Sequence, residues 1–194
     1  MAAMATGHPL TSAVVAIRAL FSAAATSCAL TDEDGERLSF VAADGAGADK
    51  IIGVELPSGR GIAGFVAMSG QALAVNDVQR DPRFARDIAE STEYVPHTIV
   101  AVPILSADGD VVGVLSVLDP AVDASSGWSL AVLGTLGTLV GHLLEPPGSP
   151  PVGPTDDRAE LAHLVAGLSR GPAGRRLAAG VLGAIAEFLD ESER

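Results

Sequence analysis

The sequence predicts an α+β domain, an antiparallel β-sheet flanked by helices, followed by a C-terminal two-helix extension. Three observations predict it. Short valine-rich runs alternate around turns bearing Asp and Gly, as hairpin strands do. Apolar stripes at helical spacing open and close the first 145 residues. A proline-rich tract, EPPGSPPVGP at 145–154, then separates that domain from a segment of amphipathic helical pattern. The expected organisation is a main domain over residues 1–145, a linker over 146–154 and a two-helix extension over 155–194.

The elements follow in chain order. Residues 11–25 place Val14, Ile17, Leu20, Phe21 and Ala24 on one stripe, with Thr11 or Ser12 as N-cap, and predict the first helix. Cys28 to Thr31 and Arg37 to Ala42 read as a hairpin. The intervening DEDGE supplies residues that tolerate a left-handed backbone. Ile51 to Leu56 reads as a third strand, ended by Pro57 and Gly59. Gly61 to Ser69 reads as a short helix closed by Gly70 at C′, and Gln71 to Val75 as the strand that leaves it.

Residues 76–97 form the longest irregular segment. Pro82 at a first helical position predicts a short helix to about Ala89, and Pro96 returns Val95 to extended geometry. Thr98 to Leu105 and Val111 to Leu118 are the strands of a second hairpin around ADGD. A long helix over Trp128 to Leu144 is predicted with Ser129 as cap and Trp128 stapled on Leu133. Its stripe is Leu130, Leu133, Leu136, Val140 and Leu144. Gly134, Gly137 and Gly141 each cost about 1 kcal/mol of helix propensity, which predicts close approach to another backbone. The extension divides into helices at about 156–169 and 173–190. Two such helices cannot bury their apolar faces alone and need the main domain, a second copy or a partner.

Charge and composition narrow the function. The chain of 194 residues carries a net charge of −12. Such acidity repels polyanions at long range and argues against nucleic-acid binding. No apolar run reaches a bilayer span, so no membrane association is expected. The single cysteine, Cys28, leaves no internal disulfide and no multi-cysteine metal site. Cys28 sits in a predicted strand, where it reads as a buried structural thiol. MAAMATGHPL lacks a basic n-region, so a cytoplasmic location is expected.

GRGIAGFVAMSGQALAVNDVQRDPRF (59–84), TIVAVPI (98–104) and DGDVVGVLSVLD (108–119), in that element order, resemble a GAF domain over about residues 10–145. The resemblance implies an antiparallel sheet with the first and last helices on one face. On the other face, the loop from Asn76 to His97 would cover a small-molecule pocket. It also implies dimerisation through the terminal helices. The few catalytic relatives, the free methionine-(R)-sulfoxide reductases, carry cysteine where this chain has Ala63, and further cysteines in a loop that here has none. A thiolate nucleophile cannot be replaced by alanine, so no enzymatic activity is expected. The loop cysteine of bilin-binding relatives is also missing. The cyclic-nucleotide pattern of phosphodiesterase GAF domains fails where Asp77 follows Asn76 and Ile88 stands four residues after Phe84.

The expected ligand site is therefore Phe65, Asn76, Phe84, Arg86, Tyr94 and His97, an apolar set with a few polar groups among it. Arg83 is a second arginine nearby. The plain alternative is that Phe65 and Phe84 fill the core while Arg83 and Arg86 pair with Asp81 or Asp87. His97 reads more readily as a surface or hydrogen-bonded residue than as a haem ligand. No cofactor and no metal are expected. Two functions remain open. One is a non-catalytic sensory or regulatory protein that binds an unidentified small molecule and signals through a protein partner or homodimer. The other is an interaction or dimerisation module with a filled pocket. An enclosed cavity of ~300 Å³ or more, lined by Phe84, Tyr94 and His97, would favour the first.

Overall fold

A computed structural model describes residues 7–124 and 126–144 of the chain. The strands are β1 (Ala25–Thr31), β2 (Arg37–Gly45), β3 (Glu55–Pro57), β4 (Leu73–Val75), β5 (Ile99–Leu105) and β6 (Val111–Leu118). They form one antiparallel sheet in the order β3-β2-β1-β6-β5-β4. The β1–β6 pairing joins the two hairpin halves, and both faces of this central region are covered. Val100 and Val102 of β5 and Leu115 and Val117 of β6 have no exposed surface, which suits their β-branched and apolar character.

The helix α1 (Gly7–Phe21) and the helix α5 (Gly127–Leu144) pack on one face of the sheet. Val14, Ile17 and Phe21 of α1 and Leu133 and Val140 of α5 are buried there, each worth about 1.5–3 kcal/mol of transfer free energy. Leu20, Leu130 and Leu136 of the expected stripes are only half-buried. The first helix stops short of its expected end because Ser22 adopts φ 46° and Ala23 N–H bonds back to the Arg18 carbonyl at 3.0 Å. The residues it releases extend β1 to Ala25, and Ala24 N–H pairs with the Leu118 carbonyl at 3.1 Å.

At the start of α5 the cap is Ser126, not Ser129: the Ser126 hydroxyl accepts the Ser129 N–H at 3.2 Å. The Ser129 hydroxyl instead donates to the Asp123 carbonyl at 2.6 Å. Trp128 lies within the helix and meets Phe21, with ring centroids 5.8 Å apart. Two of the three helix glycines make the expected close approach. A Cβ at Gly137 would lie 2.9 Å from the Pro103 carbonyl oxygen, and one at Gly141 would overlap that of Leu105. Gly134 faces open space.

The other face carries α2 (Ala48–Ile51), α3 (Gly61–Ser69) and α4 (Arg86–Ser91). The α3 prediction matches to the residue: Gly70 closes the helix at φ 66°, its N–H on the Val66 carbonyl at 2.9 Å. Two expectations on this face are corrected. The strand expected over Ile51–Leu56 is a helical turn followed by β3. The left-handed Gly47 and Gly53 fold the chain there, and pairing with β2 resumes only at Gly53 N–H to Phe40 C=O, 2.8 Å. The helix expected from Pro82 begins at Arg86. The Asp81 side chain captures the Arg83 N–H at 2.9 Å, and Phe84 N–H closes a turn on the Asp81 carbonyl at 3.0 Å. The proline-rich linker and the two C-terminal helices lie outside the described residues.

Candidate functional site

A cavity of about 110 Å³ opens between the sheet and the helices α2, α3 and α4. Strand alternation supplies its floor. Ala25 and Ser27 of β1 face the same way as Ser116 and Leu118 of β6, since Ser27 stands opposite Ser116 and Ala25 opposite Leu118. Phe40, Ile51, Leu56 and Ile62 form the walls. The roof is the segment from Phe84 to Pro96, through Phe84, Ala85, Ile88, Ala89, Thr92, Tyr94 and Pro96. Small residues make the space: Ala25, Ala43, Ala46, Gly47, Ala48, Gly61, Ala63, Ala85 and Ala89 all border it.

Asp119, which sequence reasoning did not single out, holds the roof to the sheet. One carboxylate oxygen accepts the backbone N–H of His97 at 2.9 Å and of Thr98 at 2.7 Å, and the other accepts the Tyr94 hydroxyl. Asp119 follows the last residue of β6 with φ 48°, a conformation that Asp tolerates better than most residues. That left-handed tolerance after a strand was the signal in the sequence. Burial first, then the bond to Asp119, pushes the Tyr94 phenol well above its ordinary pKa. Two further ion pairs tie the roof to its neighbours, Arg60 of the α3 N-cap to Asp87 and Lys50 of α2 to Glu93. Gly47 packs below it, where a Cβ would meet the Thr92 carbonyl oxygen at 2.9 Å.

Polar groups on the lining fall into two sets. The Thr92 hydroxyl donates to the Ala89 carbonyl at 2.9 Å, Tyr94 bonds Asp119, and Asp44 pairs with Arg18. The hydroxyls of Ser27 and Ser116 make no hydrogen bond to the described residues and stay open to the cavity, although the two residues are only 8% and 5% exposed. The first turn of α3 (Gly61, Ile62 and Ala63) also borders the cavity, and no side chain caps that helix start.

The structure brings together two of the six expected site residues, Phe84 and Tyr94, on the cavity lining. Phe65 lies outside it, under the Arg83 guanidinium at 4.6 Å from the ring centroid. Arg83 also forms a two-point pair with Asp81, at 2.9 and 2.6 Å, which holds the Asp81 carboxyl below its ordinary pKa. Arg86 is exposed and donates to the Gln79 carbonyl at 3.1 Å. Asn76 and His97 are exposed and act through their backbones: the Asn76 carbonyl accepts the Thr98 hydroxyl, and the His97 carbonyl accepts Val78 N–H at 3.0 Å. Cys28 is buried in β1 away from the lining, and burial pushes its thiol up to about 12. Among the described residues no cluster of His, Cys, Asp or Glu suits a metal ion, and no helix is long and apolar enough to cross a membrane.

A curled antiparallel sheet, terminal helices on one face and a cavity on the other define a GAF-type domain. The chain belongs to that family: the GAF domain profile matches residues 9–145. GAF domains are small-molecule-binding regulatory and sensory domains, generally non-catalytic, found in phosphodiesterases and sensor proteins. A dual 3′,5′-cyclic-AMP and -GMP phosphodiesterase 11A of Takifugu rubripes is 33% identical over 66 residues, 34% of this chain and 7% of that protein. This chain thus spans a small fraction of the length of the curated relatives it matches. Among solved structures, the GAF domain of a phosphoenolpyruvate-protein phosphotransferase from Coxiella burnetii superposes with TM-score 0.64 at 22% identity, over 74% of this chain and 84% of that one. The free methionine-R-sulfoxide reductase of Neisseria meningitidis, in complex with its substrate, superposes with TM-score 0.58 at 21% identity, over 71% and 77%. At such identities these two show the fold.

Proposed function

We propose that this protein is a non-catalytic sensory or regulatory GAF protein that binds a small molecule in the cavity between the sheet and the Phe84–Pro96 roof. The observation that supports it is the roof itself. It closes over a predominantly apolar space, and it is joined to β6 through one carboxylate, so a change in occupancy has a short path to the sheet. Occupancy orders this segment, and the signal leaves through a protein partner or a second copy at the terminal helices. Sulfoxide reduction is not part of the reading: Ala63 borders the cavity and the one cysteine does not.

A second reading has a specific observation in its favour. The cavity is about 110 Å³, well below the ~300 Å³ at which ligand pockets usually begin, and His97 is not on its wall. That favours an interaction module whose pocket is nearly filled. Native mass spectrometry of the protein purified from its own host separates the two. A stoichiometric small-molecule adduct is expected; bare protein across several preparations would leave the interaction module.

A further inference from the structure

We infer that the cavity selects a compact, neutral molecule carrying a hydrogen-bond acceptor such as a ketone, amide or ester carbonyl, held between Ser27 and Ser116. This rests on the reading of the cavity as a ligand site and adds the chemical class of the ligand.

Size comes first. A closed, dry cavity of about 150 Å³ accepts benzene, so this partly open cavity of about 110 Å³ suits a compact group of roughly five heavy atoms. Charge comes second. No Lys, Arg or His borders the cavity, and its one ionised residue is the carboxylate of Asp44, already paired with Arg18. An anion placed there would lose its hydration without a counter-ion, at a cost of several kcal/mol. A cation would find Asp44 already neutralised.

Hydrogen bonding comes third. Three polar side chains of the lining, Thr92, Tyr94 and Asp44, are already bonded within the protein. The buried Thr26 hydroxyl, unpartnered among the described residues, stands at the β1 position that alternates to the opposite face of the sheet from Ser27. Ser27 and Ser116 differ. They face each other across the β1–β6 pair, more than nine-tenths buried, with neither hydroxyl bonded among the described residues. Such groups are satisfied by water or by an occupant that bonds them, and an apolar occupant would displace the water without replacing its bonds. Each hydroxyl can donate to a shared acceptor, and opposed side chains of an antiparallel pair stand close enough for one oxygen to reach both. The uncapped first turn of α3 adds backbone donors on the same cavity, again matched by an acceptor.

The test uses three probes of five or six heavy atoms on the full chain: cyclopentanone, cyclopentane and butyrate, with cGMP as a fourth. Binding is read from amide shifts in ¹⁵N–¹H spectra. Saturable shifts at Ser27, Ser116 and Tyr94 are expected with cyclopentanone, and none with butyrate or cGMP. S27A and S116A together should weaken cyclopentanone about tenfold or more while leaving cyclopentane unchanged. Tighter binding of either anion would overturn the neutral class yet leave the small-molecule reading intact. Equal affinity for cyclopentane and cyclopentanone in the unmutated protein would overturn the role of the serines, whatever the variants do. Absence of binding by every probe would also overturn the inference, while a host-derived adduct in native mass spectrometry would still support the sensor.

Discussion

The Tyr94 hydroxyl donates to the Asp119 carboxylate, and this bond ties the roof of the cavity to the residue that follows β6. The same carboxylate receives two backbone N–H groups, so Asp119 serves three donors and Tyr94 serves one acceptor. Their substitutions should therefore differ in size. Tyr94→Phe keeps the ring and loses one charge-assisted bond, a cost of about 1–2 kcal/mol. Asp119→Ala loses three bonds and a residue suited to φ 48°, and should cost at least twice as much. Asp119→Asn, which retains acceptors and tolerates that φ, should fall between. Urea unfolding midpoints check the order, and equal losses for Tyr94→Phe and Asp119→Ala would refute it.

The same bond sets an alkaline limit. The folded-state pKa of Tyr94 is raised above the ordinary value of 10.0 by burial and by Asp119. The protonated phenol is thus favoured in the fold. Its contribution is fully present below about pH 10 and is lost as pH rises beyond that value. Tyr94 is the sole tyrosine, so absorbance near 295 nm reports its phenolate directly. The native protein should titrate above pH 10, with the denatured protein titrating near it. Stability of the native protein should decline over that range more steeply than that of Tyr94→Phe.

Two glycines of one helix should respond in opposite directions to alanine. Gly134 faces open space, so Gly134→Ala gains helix propensity and should stabilise by about 0.5–1 kcal/mol. At Gly141 the added methyl meets the Leu105 carbonyl oxygen, and backbone cannot move aside as a flexible side chain can. Gly141→Ala should destabilise by about 2 kcal/mol or more, as overpacking does. Thermal melts of the two variants side by side decide it; a gain at Gly141 would mean that α5 does not sit on β5 as described.

The contrast between those glycines shows what the sequence could carry. Three glycines in a helix pattern announce a close approach, because each costs propensity that something must offset. Which of the three makes it depends on register against β5, and no local pattern encodes that. The hairpins were legible for a similar reason: Asp32 accepts the N–H groups of Glu36 and Arg37 at 2.8 and 3.1 Å, a purely local bond set. Ile51–Leu56 misled because two isoleucines carry strand propensity, whereas Gly47 and Gly53 decide the path. At the cavity the aromatic and charged residues drew attention, since they bear the obvious chemistry. Nearly half of the lining is instead alanine, glycine and serine. A cavity exists where side chains are short, and shortness is a weak signal in a sequence rich in alanine. Ser27 and Ser116 are 89 positions apart, and only the β1–β6 register sets them opposite one another.

Cys28 offers a direct reading of how tightly that register is held. Its side chain is 1% exposed in the centre of the sheet, and burial pushes its thiol up to about 12. The thiolate is the reactive form, so at neutral pH the folded protein should be nearly inert to a disulfide reagent such as DTNB. Reaction then requires opening of the β1–β6 pair or of the whole domain. Labelling should follow the global unfolding rate, and Leu115→Ala, which hollows the core beside Cys28 at about 2–5 kcal/mol, should accelerate it strongly. Tyr94→Phe should accelerate it much less, because the roof can open while β1 and β6 stay paired. Equal acceleration by the two variants would show that roof and sheet open as one unit, and that a roof moved by ligand must carry the central strands with it.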